Sequence, residues 1–210
     1  MSVIFKLDEK TVRKWLHTNV KYISEINVIN FSYRYLNVPG GRNVMFSVDG
    51  VDCPLKEPSR PVDPGYCSHK LKRSALRYEV GLALYSPRIC WIGGGVPAGK
   101  YNHLRISRMP GGIISHMRTD EKGMADNSYN GEAKFITPIR GGGLTNNEKL
   151  YNRWVRTGLA RHENINKRLK QFNVLNTVFR HDEYFHNKCF MACAVLTQLS
   201  MHAEPIYDIN

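Results

Sequence analysis

Three carboxylates are the side chains of this sequence that are best suited to do chemistry. Asp49 ends a short β-prone run and precedes a glycine, Asp126 ends a later short run, and Glu163 lies in a stretch with helical periodicity. Carboxylates at adjacent strand ends, faced by a third from a helix, can hold two divalent cations for phosphodiester hydrolysis. Ligands that are all oxygen favour Mg²⁺ or Mn²⁺. The pattern therefore permits a metal-dependent nuclease site.

Each carboxylate also has an ordinary structural explanation. Asp49-Gly50 and Asp126-Asn127 are common turn sequences, and Glu163 could form an intrahelical ion pair with Lys167, four positions later. Glu163 is nevertheless the only acid among the charged residues of segment 149–180. An isolated acid in a basic stretch is expected where a metal-binding carboxylate lies beside a polyanion. Both interpretations remain open at this point.

The hydrophobic pattern predicts the elements that would position these carboxylates. An apolar stripe at helical spacing follows Asp8, which is a suitable N-cap. The expected strands are 44–49, 76–85, 89–93, 123–126 and 135–138, and the later helices are 104–108, 146–175 and 186–202. A few strands followed by a helical pair predict one α/β or α+β domain with helices packed on a mixed sheet.

The charge balance favours a polyanionic partner. Thirty Lys and Arg against 18 Asp and Glu give a net charge of +12, which points to nucleic acid first and to an anionic membrane second. The membrane alternative is weak because the most apolar stretch, 190–196, is too short to span a bilayer, and no secretory start is visible. Five cysteines without a Cys-x-x-Cys pair fit a reducing compartment better than a disulfide framework.

The predicted long helix carries a cluster of cations near its C-terminal end. Ile165 and Leu169 would face the core, which would leave the cations on the outer side: Lys167, Arg168 and Lys170. Such a face is often merely solvated. Because the whole chain is strongly basic, we expect these three residues to contact nucleic-acid phosphates.

Short segments along the chain form an ordered set of motifs: 47–54 around Asp49, 66–70, 76–80, 125–129 around Asp126, 161–170 around Glu163, 179–182 and 204–205. In number, order and spacing they resemble the DDE-superfamily endonuclease domain of Harbinger-type transposases and of the domesticated proteins derived from them. The resemblance runs from about Lys10 to Ile209, which is nearly the whole chain.

The resemblance implies an RNase H-like α/β fold and a metal-dependent hydrolysis or strand-transfer reaction on DNA. It implies that Asp49, Asp126 and Glu163 are the catalytic residues and the ligands of Mg²⁺ or Mn²⁺. It also implies a nuclear protein with a helical lead-in at 1–40 and an RNase H-like endonuclease domain at 41–210.

Three departures from the family pattern bear on activity. His103 stands where the family usually has an aspartate, and Ser128 replaces the glycine of the Ala-Asp-x-Gly-Tyr element. The helix-turn-helix region that usually precedes the family's catalytic domain is not seen, so a separate DNA-binding protein is an expected partner. The alternative hypothesis is therefore a catalytically impaired, domesticated or truncated relic that binds DNA or protein.

Overall fold

The computed structural model describes residues 7–57 and 63–206. Its helices are α1 (Glu9–Ser24), α2 (His103–Ser107), α3 (Asn146–Lys170), α4 (Asn173–Asn176) and α5 (Glu183–Ser200). Its strands are β1 (Val44–Pro54), β2 (Cys67–Ser68), β3 (Arg73–Ala83), β4 (Ile89–Pro97), β5 (Lys122–Ala125) and β6 (Phe135–Ile136). Short 3₁₀ turns lie at Phe31–Tyr35, Pro64–Tyr66, Ile113–His116 and Asn127–Tyr129.

The sheet is mixed, and its spatial order is β4-β3-β1-β5-β6. β1 and β4 pair antiparallel with the two sides of β3, and β2 pairs with the first residues of β3. β5 runs parallel to β1, and β6 runs parallel to β5. The strand that carries Asp49 is therefore central, and it has an antiparallel neighbour on one side and a parallel neighbour on the other.

The two faces of the sheet bury different clusters, as the two-residue period of a strand requires. On one face, Val51 and Cys53 of β1 pack in the cluster that includes Ile165 and Leu169 of α3 and residues of α5. On the other face, Phe46 and Val48 pack with Ile113, Tyr129 and Phe135. From Ser47 onward, side chains at odd positions of β1 thus face the long helices, and those at even positions face the opposite layer.

Side-chain N-caps mark the first residues of the three longest helices. The Asp8 side chain accepts a hydrogen bond from Thr11 N and caps α1, as predicted. Thr145 and Glu148 form a capping box at the start of α3. α5 begins at Glu183, capped by Asp182, which is three positions before the predicted start at His186.

The predicted α/β class is confirmed, with an RNase H-like mixed sheet, an N-terminal helix and C-terminal helices. The prediction that the first strand ends at Asp49 is wrong. β1 continues to Pro54 because residues 50–54 pair with β3 and because Val51 and Cys53 enter the core. The predicted helix at 146–175 is divided, since α3 ends at Lys170 and the short α4 follows.

Two ranges predicted from the sequence extend outside the described residues. The lead-in at 1–40 begins before them, and the family resemblance ends after them, at Ile209. Within residues 7–57 and 63–206, no helix has both the length and the apolar character needed to cross a membrane.

Candidate active site

Asp49 and Asp126 are brought side by side by the parallel pairing of β1 and β5. The last registered pair of these strands is Val48 with Ala125, and the two aspartates are the next residues on their chains. β5 ends there, whereas β1 continues. The sequence predicted that two aspartates would lie at neighbouring strands, and the register supplies the reason.

The Asp49 side chain lies on the face of the sheet that carries the long helices, and it is half-buried. Its Oδ1 accepts a hydrogen bond from Gly50 N at 2.7 Å, and its Oδ2 accepts one from Asn166 Nδ2 of α3 at 3.3 Å. These two donors restrict the carboxylate's orientation relative to α3.

The Asp126 side chain is exposed and caps the 3₁₀ turn Asn127–Tyr129. Its Oδ1 accepts hydrogen bonds from Ser128 N, at 2.9 Å, and from the Ser128 hydroxyl. Ser128 does not have a positive φ; among the described non-glycine residues, only Asn37 and Lys72 do. The replacement of glycine by Ser128 therefore carries no backbone strain and adds a donor to the aspartate.

Glu163 is presented by α3, and the two residues before it fix that helix to the sheet. Arg161 is fully buried and donates to the backbone oxygens of Ala83, Leu84 and Ser86. His162 is buried, and its Nε2 is 3.0 Å from Ser47 Oγ of β1. Burial lowers the pKa of His162 to about 4, although Asp49 opposes the change. A neutral imidazole therefore packs between helix and sheet beside Glu163.

The three predicted carboxylates line one open groove of about 390 Å³. Its walls are formed by Asp49, Asp126, Arg156, Leu159, Ala160, His162 and Glu163. Glu163 makes no ion pair with Lys167, so the intrahelical pair is not formed. Across the described parts of the chain, no group of three or more His, Cys, Asp or Glu side chains is close enough to hold a metal ion.

The donor chemistry of the groove suits a hard divalent cation. Three carboxylates supply oxygen ligands, and hydrogen bonds already orient Asp49 and Asp126. The side chains share a groove without converging on one point. Glu163 is exposed on its helix.

His103 lies on the opposite face of β1, behind the Asp49-Gly50 pair. Its ring packs so closely on Gly50 that a Cβ at position 50 would be 2.1 Å from His103 Cε1. Its Nδ1 is buried without a hydrogen-bond partner. Burial lowers the pKa of His103, with Arg77 acting in the same direction and Asp49, Asp126 and Asp52 opposing it. The departure from the family pattern thus falls directly behind the candidate site.

Glu79 is a buried carboxylate that the sequence did not single out. It accepts hydrogen bonds from the Ser107 hydroxyl of α2, from Trp91 Nε1 of β4 at 3.1 Å, and from the Tyr129 hydroxyl at 3.2 Å. Burial raises its pKa to about 7, although the three donors oppose the change. Glu79 therefore connects β3 to the turn that carries Asp126. Its only sequence signal was its position inside motif 76–80.

The basic cluster on α3 differs from the predicted outer placement at Lys170. Lys167 is exposed. Lys170 is half-buried, and its Nζ donates to Asp52 O at 2.5 Å and to Leu175 O at 3.2 Å. Arg168 donates to Asn164 Oδ1 and to Glu204 O. The outer face was therefore the wrong place for Lys170, because helix α3 ends there and its ammonium group reaches nearby carbonyl oxygens.

Comparison with known proteins identifies one family. A family model described as DDE superfamily endonuclease matches residues 48–198, a span that includes all three carboxylates. No curated protein and no solved structure matches the chain.

Proposed function

Because this chain belongs to the DDE superfamily of endonucleases, we propose that it is a transposase-derived enzyme that cleaves DNA phosphodiester bonds with divalent metal ions. The observation that carries the proposal is the register of β1 and β5, which makes Asp49 and Asp126 neighbours in the groove that Glu163 also lines. The narrower relation to Harbinger-type transposases rests on the order of the motifs.

Each carboxylate has a proposed role. Asp49 and Asp126 are the ligands of Mg²⁺ or Mn²⁺, and Glu163 completes the site and positions the attacking water. When bound, the metal ions would activate that water and stabilise the leaving oxygen. Asn166 and Gly50 N orient Asp49, and Ser128 orients Asp126. The fixed attachment of α3 through Arg161 limits where Glu163 can reach.

DNA is the proposed substrate, and the exposed Lys167 is a proposed phosphate contact. Arg168 and Lys170 could contribute only by exchanging their intramolecular hydrogen bonds for phosphate oxygens. Sequence recognition by a separate DNA-binding protein and residence in the nucleus remain proposals that follow from the family relationship.

A second candidate function is binding without catalysis. It is favoured by the imidazole of His103 behind Asp49 and by the absence of a converged ligand group in the described residues. Under this proposal the chain keeps the fold and the basic surface of a transposase, and it binds DNA or protein without cutting.

The two functions are separated by Mn²⁺-dependent nicking of supercoiled plasmid, measured beside the Glu163→Gln variant. A nuclease should nick only with metal, and Glu163→Gln should lose cleavage because the amide carries no charge for the cation. Nicking that persists in Glu163→Gln would contradict the assignment of Glu163. A folded protein that shifts DNA without nicking it would favour the binding relic.

A further inference from the structure

A second groove, of about 580 Å³, lies along α3 beside the carboxylate groove. It is lined by Leu144, Lys149, Asn152, Arg153, Arg156, Thr157 and Ala160. Arg156 and Ala160 line both grooves, so the two adjoin along the helix. The combined surface is therefore one path that leads from the carboxylates towards the start of α3.

Three cations of this path share one face of the helix. Lys149, Arg153 and Arg156 are spaced i, i+4 and i+7, a spacing that places side chains in one row. The neighbouring face is turned inward, since Val155 is fully buried and Asn152 is nearly so. The row is thus fixed by the packing of the helix on the sheet.

Asn152, which lines this groove, also joins α3 to the segment that precedes it. Its Oδ1 accepts a hydrogen bond from Ile139 N at 2.7 Å, and its Nδ2 donates to Ile139 O at 2.9 Å. This paired contact ties the segment before α3 to the helix.

The cations of the row have no ion-pair partner among the described residues. Neither an ion pair nor a side-chain hydrogen bond of Lys149, Arg153 or Arg156 is found there. Glu148, the nearest acid in sequence, is engaged in the capping box with Thr145. Three cations in a row without ion-pair partners fit a ligand with regularly spaced negative charges.

The length of the row matches a DNA strand. A helix rises about 1.5 Å per residue, so Arg156 lies about 10 Å and Lys149 about 21 Å along the axis from Glu163. Phosphates of one strand of B-DNA follow each other at about 3.4 Å along the duplex axis, so these distances correspond to about three to six nucleotides.

We propose that Lys149, Arg153 and Arg156 form a phosphate-binding row that holds the DNA flanking the bond placed at the carboxylates. This inference rests on the proposed function and assigns the main backbone contacts to the start of α3 instead of its end. The row neutralises phosphates three to six nucleotides from the scissile one, and it reads no base sequence.

The test measures DNA binding by the triple variant Lys149→Gln/Arg153→Gln/Arg156→Gln in EDTA. Binding is monitored by the fluorescence anisotropy of a labelled duplex over a range of KCl concentrations. Each lost phosphate contact reduces the slope of log K against log salt by about 0.9, so the variant's slope should be shallower by about 2.7. Between 50 and 200 mM salt, the wild type should then lose about 40-fold more affinity than the variant does.

The matched control is Lys10→Gln/Lys14→Gln/Lys21→Gln, which removes the same charge from exposed positions of α1. Its slope should stay close to that of the wild type. A charge-preserving variant, Lys149→Arg/Arg153→Lys/Arg156→Lys, should restore the wild-type slope and excludes misfolding as the cause. Equal slopes for the groove variant and the α1 control would overturn the proposal.

The assay contains no metal, so its outcome is independent of cleavage. If nicking is absent but the groove variant alone loses its salt slope, the proposed nuclease fails and the phosphate row stands. If nicking is present but the slope is unchanged, the nuclease stands and the row is wrong.

Discussion

Glu79 illustrates, at the scale of one residue, how a buried group can support a site that it does not touch. Its carboxylate receives donors from β4, from the end of α2 and from Tyr129, which closes the turn after Asp126. Because the side chain is almost completely buried, its charged form is costly, and its pKa rises from 4.5 to about 7.

The raised pKa of Glu79 predicts the pH dependence of stability. Between pH 4.5 and 7 the native state binds a proton that the unfolded state has released, so the contribution of Glu79 is full below pH 4.5 and is lost as pH rises through about 7. The change is on the order of 3 kcal/mol.

Urea unfolding of the wild type and of Glu79→Gln at several pH values measures this effect. The free energy of unfolding of the wild type, minus that of Glu79→Gln, should fall as pH rises across this window. A difference that grows with pH would mean that Glu79 is ionised in the folded protein.

Replacement of His103 should change metal binding without removing a proposed ligand. His103→Asp would place a negative charge behind Asp49 and near Asp126, which should lower the stability without metal and increase the stabilisation by Mn²⁺. The control is His103→Asn, which has nearly the same size and no charge.

Thermal unfolding in EDTA gives the stability without metal, and the change in Tm in millimolar Mn²⁺ gives the stabilisation by the metal. We expect a larger Mn²⁺-induced rise in Tm for His103→Asp than for His103→Asn or the wild type. Equal Mn²⁺-induced rises in Tm for all three proteins would show that the residue at position 103 does not affect the proposed metal site.

At the scale of the element, α3 is attached to the rest of the protein at several points along its length. Asn152 binds the segment before the helix, Arg161 binds the end of β3, and Lys170 binds β1 near its end. These contacts fix both the rotation and the axial position of the helix. Glu163 and the cationic row are consequently held by one rigid element.

Lys170 and Lys167 should behave differently although they are three positions apart. Lys170→Met removes hydrogen bonds to Asp52 O and Leu175 O and should lower the free energy of unfolding by about 1–3 kcal/mol. Lys167→Met removes the same charge from an exposed position and should change it by less than about 0.5 kcal/mol. Chemical denaturation of the two variants gives the comparison. Equal effects would mean that the Lys170 contacts do not contribute to stability.

At the scale of the whole molecule, the proposed catalytic carboxylates and the proposed phosphate-binding row occupy different parts of one groove system. The chain has a net charge of +12, while the carboxylates occupy the end of the path that the cations border. Binding and cleavage should therefore be separable.

If binding and cleavage are separable, Glu163→Gln should lose cleavage and keep DNA binding. Removal of one negative charge beside a polyanion should leave the metal-free affinity unchanged or slightly higher, with an unchanged salt slope, while cleavage is lost. Anisotropy titrations in EDTA and plasmid nicking in Mn²⁺ measure the two properties on the same protein. A large loss of metal-free affinity would mean that Glu163 holds the fold of the groove and is not only a ligand.

Much of the site could be predicted from the sequence because its signals are local. Asp126 at a strand end, Glu163 on a long helix and the Asp8 cap all follow from neighbouring residues and from periodicity. The strand boundary at Asp49 was wrong because Asp-Gly is a frequent turn pair. Here Gly50 is needed for a different reason: it leaves room for His103, which is 53 positions away in the chain (103 − 50).

The sequence by itself determined the fold class, the strongly basic balance and the three carboxylates that could act together. Only the tertiary structure decided that β1 continues beyond Asp49, that Glu79 is buried among three donors, and that Lys170 is half-buried while the cations at 149–156 line a groove. Strand pairing, burial and the partners of long side chains depend on residues distant in the chain, and no local pattern encodes them.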